Sequence, residues 1–134
     1  MQLLFIIALS LHILAATFWA GATFTLARTN SEGAEKLLRP QMGAAFLAAL
    51  TGIYLWSQLH DGRFETPERV LAFGILCAFV AAGVQSAMVG RAVRNLGNRA
   101  IDEPTARARI AMAQRIAGGL LAVTIICMAS ARYL

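Results

Sequence analysis

The sequence predicts an all-α integral membrane protein: one four-transmembrane-helix up-down bundle over residues 1–134. Three observations carry this expectation. The first is composition, with 58% of residues hydrophobic and only 14% charged, against roughly 25% charge in soluble domains. A 14.4 kDa chain with a mean hydropathy of +0.63 has too little interior to hide that much apolar surface in water, whereas a bilayer sets no such limit. The second is a set of four apolar runs: Gln2 to Ala27, Gln41 to Leu59, Val70 to Leu96 and Ile110 to Ala131. Each is long enough to cross roughly 30 Å of hydrocarbon as a helix. The third is that the connections are short, which forces neighbouring helices antiparallel.

The first run lacks a basic leading segment, and its apolar part exceeds the roughly 7–15 residues of a signal-peptide core, so it reads as helix 1. The polar turn "NSEGAEK" follows, and Pro40 suits the first turn of helix 2. The turn "HDGRFETPE" leads to helix 3, with Thr66 as the expected N-cap ahead of Pro67. The longest loop is "NLGNRAIDEPTARAR", where Asp102-Glu103-Pro104 should interrupt any helix. Helix 4 then closes the bundle. "AAFLAALT" (Ala44 to Thr51) and "AGGLLAVT" (Ala117 to Thr124) echo each other on helices running the same way. A duplicated hairpin would produce this, and so would the small residues that close helix packing in membranes selects.

Basic residues set the expected orientation. Arg28, Lys36 and Arg39 surround the first loop, and Arg91, Arg94, Arg99, Arg107, Arg109 and Arg115 surround the third. The second loop sets Arg63 and Arg69 against Asp61, Glu65 and Glu68. Loops 1 and 3 are therefore expected in the cytoplasm and both termini in the periplasm of a bacterial inner membrane. The net charge of +5 is a topology signal on this reading; scattered basic residues in short loops make a poor phosphate-tracking face, so no nucleic-acid partner is expected. Cys77 and Cys127 both lie inside apolar runs, which argues against a disulfide framework.

Within "LHILAATFWAG", His12 is about 15 Å from the outer end of helix 1, near the bilayer midplane. Helical spacing places Phe5, Ala8, His12, Ala15 or Ala16, Trp19 and Thr23 along one stripe. Small residues beside the imidazole leave room for something flat or bulky. Ionisable groups at this depth are costly and functional by default; the plain alternative is a hydrogen bond to a Ser or Thr of a neighbouring helix. Trp19 reads as an interfacial anchor, and Cys77 and Cys127 as small apolar packing residues. His60 reads as a solvated loop residue, Gln85 as a polar link between helices or a cavity liner, and Arg91 and Arg94 as snorkelling cations. All seven acids lie in the loops, which disfavours a pump built on buried carboxylates. No Gly-rich phosphate loop, CxxC or HExxH is present, and the five Met residues form no cluster that would mark a soft-metal relay.

"LHILAATFWAGATF" resembles the first helix of the superfamily joining CopD-type copper-resistance membrane proteins and HemJ-type protoporphyrinogen oxidases, through His12, Ala15, Trp19 and Gly21. "EKLLRPQMGAAFLAALTGIYLW", Glu35 to Trp56, is similar to the basic loop and second helix of the HemJ type. The resemblance implies His12 as an axial ligand of haem b, Trp19 beside it, and a basic partner at Lys36 or Arg39. Leu71 to Gly74 stand where HemJ-type proteins carry a His-x-Lys, and Gln85 stands near a later His. That departure touches the oxidase activity more than haem binding. Only two His exist, and His60 lies about 13–15 Å from His12 along the membrane normal. A haem here is therefore expected to be five-coordinate or to take Met128 or Cys77 as its second ligand.

The function expected is thus a haem b-binding membrane redox protein, of the protoporphyrinogen-oxidising kind with electrons passed to quinone. Two alternatives stand beside it. One is a CopD-type copper-handling protein with His12, Cys77 and Met128 as metal ligands; the other is a non-catalytic accessory subunit of a membrane complex. The lipid bilayer is the partner all three share, and the oligomeric state stays open, a homo-oligomer included.

Overall fold

A computed structural model describes every residue from Met1 to Leu134. It contains four long helices and no strand: α1 (Gln2–Arg28), α2 (Ala34–Leu59), α3 (Thr66–Gly97) and α4 (Glu103–Ala131). All four are long and apolar enough to cross a membrane. The protein is an all-α four-helix bundle.

The helix ends differ from the sequence expectation in three places, each for a local reason. Asn30, Ser31 and Gly33 take positive φ values of 56°, 60° and 79°, so the chain reverses within five residues and α2 starts at Ala34 rather than Gln41. Pro40 consequently lies inside α2 and not in its first turn. Glu65, not Thr66, caps α3: the Glu65 N–H donates to the Glu68 carboxylate at 2.9 Å, and Pro67 falls in the first turn, where its missing N–H costs nothing. Asp102-Glu103-Pro104 starts α4 instead of interrupting a helix, with Pro104 again in the first turn.

α3 contains one π turn, Gln85–Val89. Its buried positions explain why. Cys77, Ala81, Gln85 and Val89 are spaced by four throughout. At 100° per residue an unbroken α-helix would carry that stripe about 120° around the axis between Cys77 and Val89. The i→i+5 turn winds more slowly and keeps Val89 on the face that Cys77 began.

α1 packs along α2 and α4, and α3 packs along α4; α2 meets α3 chiefly from the π turn onward. The central cluster is mostly alanine, with Trp19 and Leu121 among Ala15, Ala20, Ala45, Ala48, Ala81 and Ala117. A second cluster at the basic end joins Leu26, Ala34, Val89, Ala92, Ile110 and Ala113. Small residues let the backbones approach closely, which is how helices associate where lipid removes the hydrophobic drive. The large apolar side chains point outward instead: Leu14, Phe46 and Ile126 are each about two-thirds exposed (67%, 66% and 66%).

The first and third loops meet at one end of the bundle. Arg107 of α4 pairs with Glu35 of α2 at 2.5 Å and with Glu103 at 3.7 Å, and it donates to the Ser31 carbonyl at 2.9 Å. This clamp is what the up-down-up-down order requires of the two basic loops.

Candidate functional site: His12 and a buried carboxamide node

The stripe expected on α1 is its buried face: Ala8, Ala15, Trp19 and Thr23 are all buried, and His12 is half-buried among them. The room beside His12 is filled by α2. Gly52 makes this possible, because a Cβ there would sit 3.2 Å from His12 Cε1. The imidazole Nδ1 lies 2.9 Å from the Ala48 carbonyl oxygen and 3.0 Å from Thr51 Oγ1. A carbonyl can only accept, so Nδ1 carries the proton. Thr51 fits the same assignment, since its hydroxyl donates to the Leu47 carbonyl at 2.7 Å and so offers a lone pair to the ring.

This arrangement fixes the tautomer. In the neutral ring, Nε2 is the bare nitrogen, and it has no hydrogen-bond partner although it is not sealed from its surroundings. An imidazole with Nδ1–H held by a backbone carbonyl and Nε2 free is the form that ligates metals. Toward the end of the bundle away from the basic loops, a groove of about 250 Å³ runs between α1 and α2, lined by Leu4, Ile7, Ala8, Leu11, Thr51 and Tyr54 among others. Thr51 belongs both to the groove and to the His12 bonds. The groove opens outward, with Leu4 and Ile7 about half exposed.

Deeper toward the basic end lies a second polar feature. Trp19 is no interfacial anchor: it is buried, and its indole N–H donates to Gln85 Oε1 at 2.6 Å. An indole nitrogen can only donate, so it dictates which way the Gln85 amide faces. The Gln85 nitrogen then donates to Thr23 Oγ1 at 2.7 Å and to Gln114 Oε1 at 2.9 Å. Gln41 Nε2 donates to the same Thr23 oxygen at 3.2 Å, and the Thr23 hydroxyl donates to the Trp19 carbonyl at 2.7 Å. One residue or more from every helix meets here. Thr23, Gln41, Gln85 and Gln114 are all fully enclosed. Gln41 Oε1 and Gln114 Nε2 remain without partners; in so apolar a setting each unmade bond is worth about 1–3 kcal/mol.

The other candidate residues are spread along the bundle. Lys36 and Arg39 are exposed near the start of α2, and Arg39 is about 13 Å along the axis from Ala48. Cys77 is buried on α3, the helix that packs along α4. Met128 is half-buried on α4. No group of three or more His, Cys, Asp or Glu side chains converges anywhere in the chain. His60 is not simply solvated: its ring stacks on Trp56 with centroids 4.5 Å apart, and Nε2 is 3.6 Å from Glu68 Oε1.

Gln41 and Gln114 escaped the sequence reading, yet a signal for them existed. Gln41 precedes Thr51 by the same spacing that separates Gln114 from Thr124. Between them, Ala45 and Ala48 match Gly118 and Leu121, and all eight positions are buried. The echo between the two segments thus extends one helical turn further than its apolar letters. The Thr pair also behaves alike, each hydroxyl tied into a helix–helix contact, Thr51 with His12 and Thr124 donating to the Gly74 carbonyl at 2.9 Å. Comparison of the chain with protein-family models, curated proteins and solved structures gives no match, and the reading of the site rests on its own chemistry.

Proposed function

We propose that the protein is a haem b-binding integral membrane redox protein in which His12 Nε2 is an axial ligand. The observation that carries this reading is the fixed tautomer: the Ala48 carbonyl and Thr51 hold the proton on Nδ1 and leave Nε2 free. Among these residues, His12 would hold the iron, through Nε2. The donor is a neutral imidazole nitrogen, the opposite ring nitrogen is held by a backbone carbonyl, and the groove that shares Thr51 with His12 is apolar. At about 250 Å³ the groove falls short of the roughly 300–1,000 Å³ of enclosed small-molecule sites, so it would shelter part of a macrocycle and leave the rest to lipid. Haem b, when bound, supplies one-electron chemistry at iron.

The chain's own contribution is then to ligate, orient and exclude water. Ala48 and Thr51 fix the plane of the imidazole, and Gly52 lets α2 close against its edge. The half-exposed leucine and isoleucine side chains of the groove face hydrocarbon, which makes a lipid-dissolved electron partner such as a quinone the accessible class. Such a protein belongs in a bacterial inner membrane with the basic loops inside.

The test is spectroscopic. The protein purified in mild detergent after expression with ample haem should show a Soret band of b type. His12→Ala and His12→Gln should both abolish it; Gln can retain a hydrogen bond to Thr51 but ligates iron poorly. His60→Ala should leave the band intact, because His60 is about 13 Å along α2 from Thr51. Haem-free wild-type protein would overturn the proposal and reduce His12 to a link between α1 and α2.

A further inference from the structure

Near the basic end, a cleft of about 230 Å³ separates α3 from α4, lined by Ala87, Met88, Arg91, Ala92 and Arg109. The π turn supplies Ala87 and Met88. Arg91 precedes the end of α3 at Gly97 by as many residues as Arg109 follows the start of α4 at Glu103, so the two residues stand at the same level of the bundle, and both line the cleft. That level is about 9 Å inside the helix ends; for helices of 32 and 29 residues crossing roughly 30 Å of hydrocarbon, this is the depth at which headgroup is expected to meet acyl chain.

Neither guanidinium has a partner within the protein. Of the four acids at this end, Glu35 and Glu103 pair with Arg107, and neither Glu32 nor Asp102 forms an ion pair with Arg91 or Arg109. Arg91 and Arg109 are exposed and form no ion pair and no hydrogen bond. Lateral to them the surface is apolar, with Met88 39% and Met112 60% exposed. The cleft therefore joins a two-arginine head to a hydrocarbon flank, and that pairing selects a ligand with an anionic phosphate at one end and an acyl chain at the other. A basic pocket between helices near a membrane surface suits an anionic phospholipid headgroup, and two guanidinium forks suit phosphate oxygens better than two ammonium groups would.

We infer that this cleft binds one anionic phospholipid, its phosphate held between Arg91 and Arg109 and an acyl chain lying along Met88 and Met112. Native mass spectrometry of the full chain in mild detergent, titrated with dioleoyl phosphatidylglycerol, tests it. One lipid per chain should bind in preference to dioleoyl phosphatidylcholine. At about 1 kcal/mol per basic residue at a membrane surface, Arg91→Gln or Arg109→Gln should weaken binding about fivefold, and the double variant about thirtyfold. Arg63→Gln, in the loop at the other end, should change nothing. Because neither arginine has an intramolecular partner, the double variant should elute as a single species with the wild-type unfolding temperature. Equal binding of phosphatidylcholine, or undiminished phosphatidylglycerol binding in the folded double variant, would overturn the inference. Inorganic phosphate should not displace the lipid at equal concentration; if it does, the cleft is a free-phosphate site and the lipid assignment fails.

Discussion

At the residue scale, two glycines show how closely the helices of this protein approach. Gly52 accepts the edge of His12, and Gly74 meets α4 even more tightly: a Cβ there would lie 2.9 Å from the Cys127 Cβ and 3.5 Å from the Thr124 carbonyl oxygen. Neither obstacle is the free end of a flexible chain, so the helices themselves would have to part. Gly74→Ala should therefore destabilise the bundle by about 1–3 kcal/mol, the usual cost of overpacking, and should lengthen the Thr124 bond to the Gly74 carbonyl. Gly83→Ala has open space around its Cβ and should be neutral or slightly stabilising, as Ala replaces Gly within a helix. Thermal unfolding in detergent compares the two directly. Equal stabilities would mean that α3 and α4 are not in close contact at Gly74.

At the scale of the element, the π turn sets which residues of α3 face the core. It holds one residue more than an α-helix would use to bring Gln85 and Val89 onto the face shared with Cys77 and Ala81. Removing exposed Ser86 should convert the turn to α-helix and leave the buried stripe nearly aligned, because the remaining drift from Cys77 to Val89 is then about 20°. That deletion variant is expected to fold. Removing Ile116, exposed to a similar lipid-facing surface on the regular α4, rotates everything beyond it by about 100° and should prevent folding. Monodispersity and helical content after purification distinguish the cases; loss of both variants alike would show that the extra residue is not spare. The π turn also places Gln85 in the carboxamide node and Ala87 and Met88 on the arginine cleft, so one local irregularity serves two polar features.

For the whole molecule, the Arg107 clamp brings the first and third loops together at one end, and the basic residues gather there. The positive-inside rule predicts that end in the cytoplasm. Reporter fusions placed after Leu134 should be active on the outer side, and fusions near Asn98 on the inner side; the reverse pattern would overturn the assignment. The same asymmetry separates the two polar features along the membrane normal. His12 and its groove lie toward the end away from the basic loops, while the carboxamide node and the arginine cleft lie toward the basic end.

The four-helix membrane bundle was legible from the sequence because transfer into lipid depends on composition and run length, and both are properties of the chain alone. His12 was legible for the same reason: an imidazole among apolar residues is costly wherever the helix packs. Helix starts were less so, since Pro40 and Asp102-Glu103-Pro104 are compatible with either a first turn or an interruption until the loop geometry around Gly33 and the length of α4 decide. Only the tertiary structure could assign the protonated nitrogen of His12, because the deciding acceptors, Ala48 and Thr51, belong to another helix. The carboxamide node was hidden likewise. Gln85 read singly as a polar link between helices or a cavity liner, Gln41 and Gln114 drew no reading of their own, and their identity as one network with Trp19 and Thr23 depends on four helix faces meeting at one level. Burial in lipid is summed along a chain, whereas hydrogen-bond partnership depends on which faces are turned toward each other, and that is set by packing.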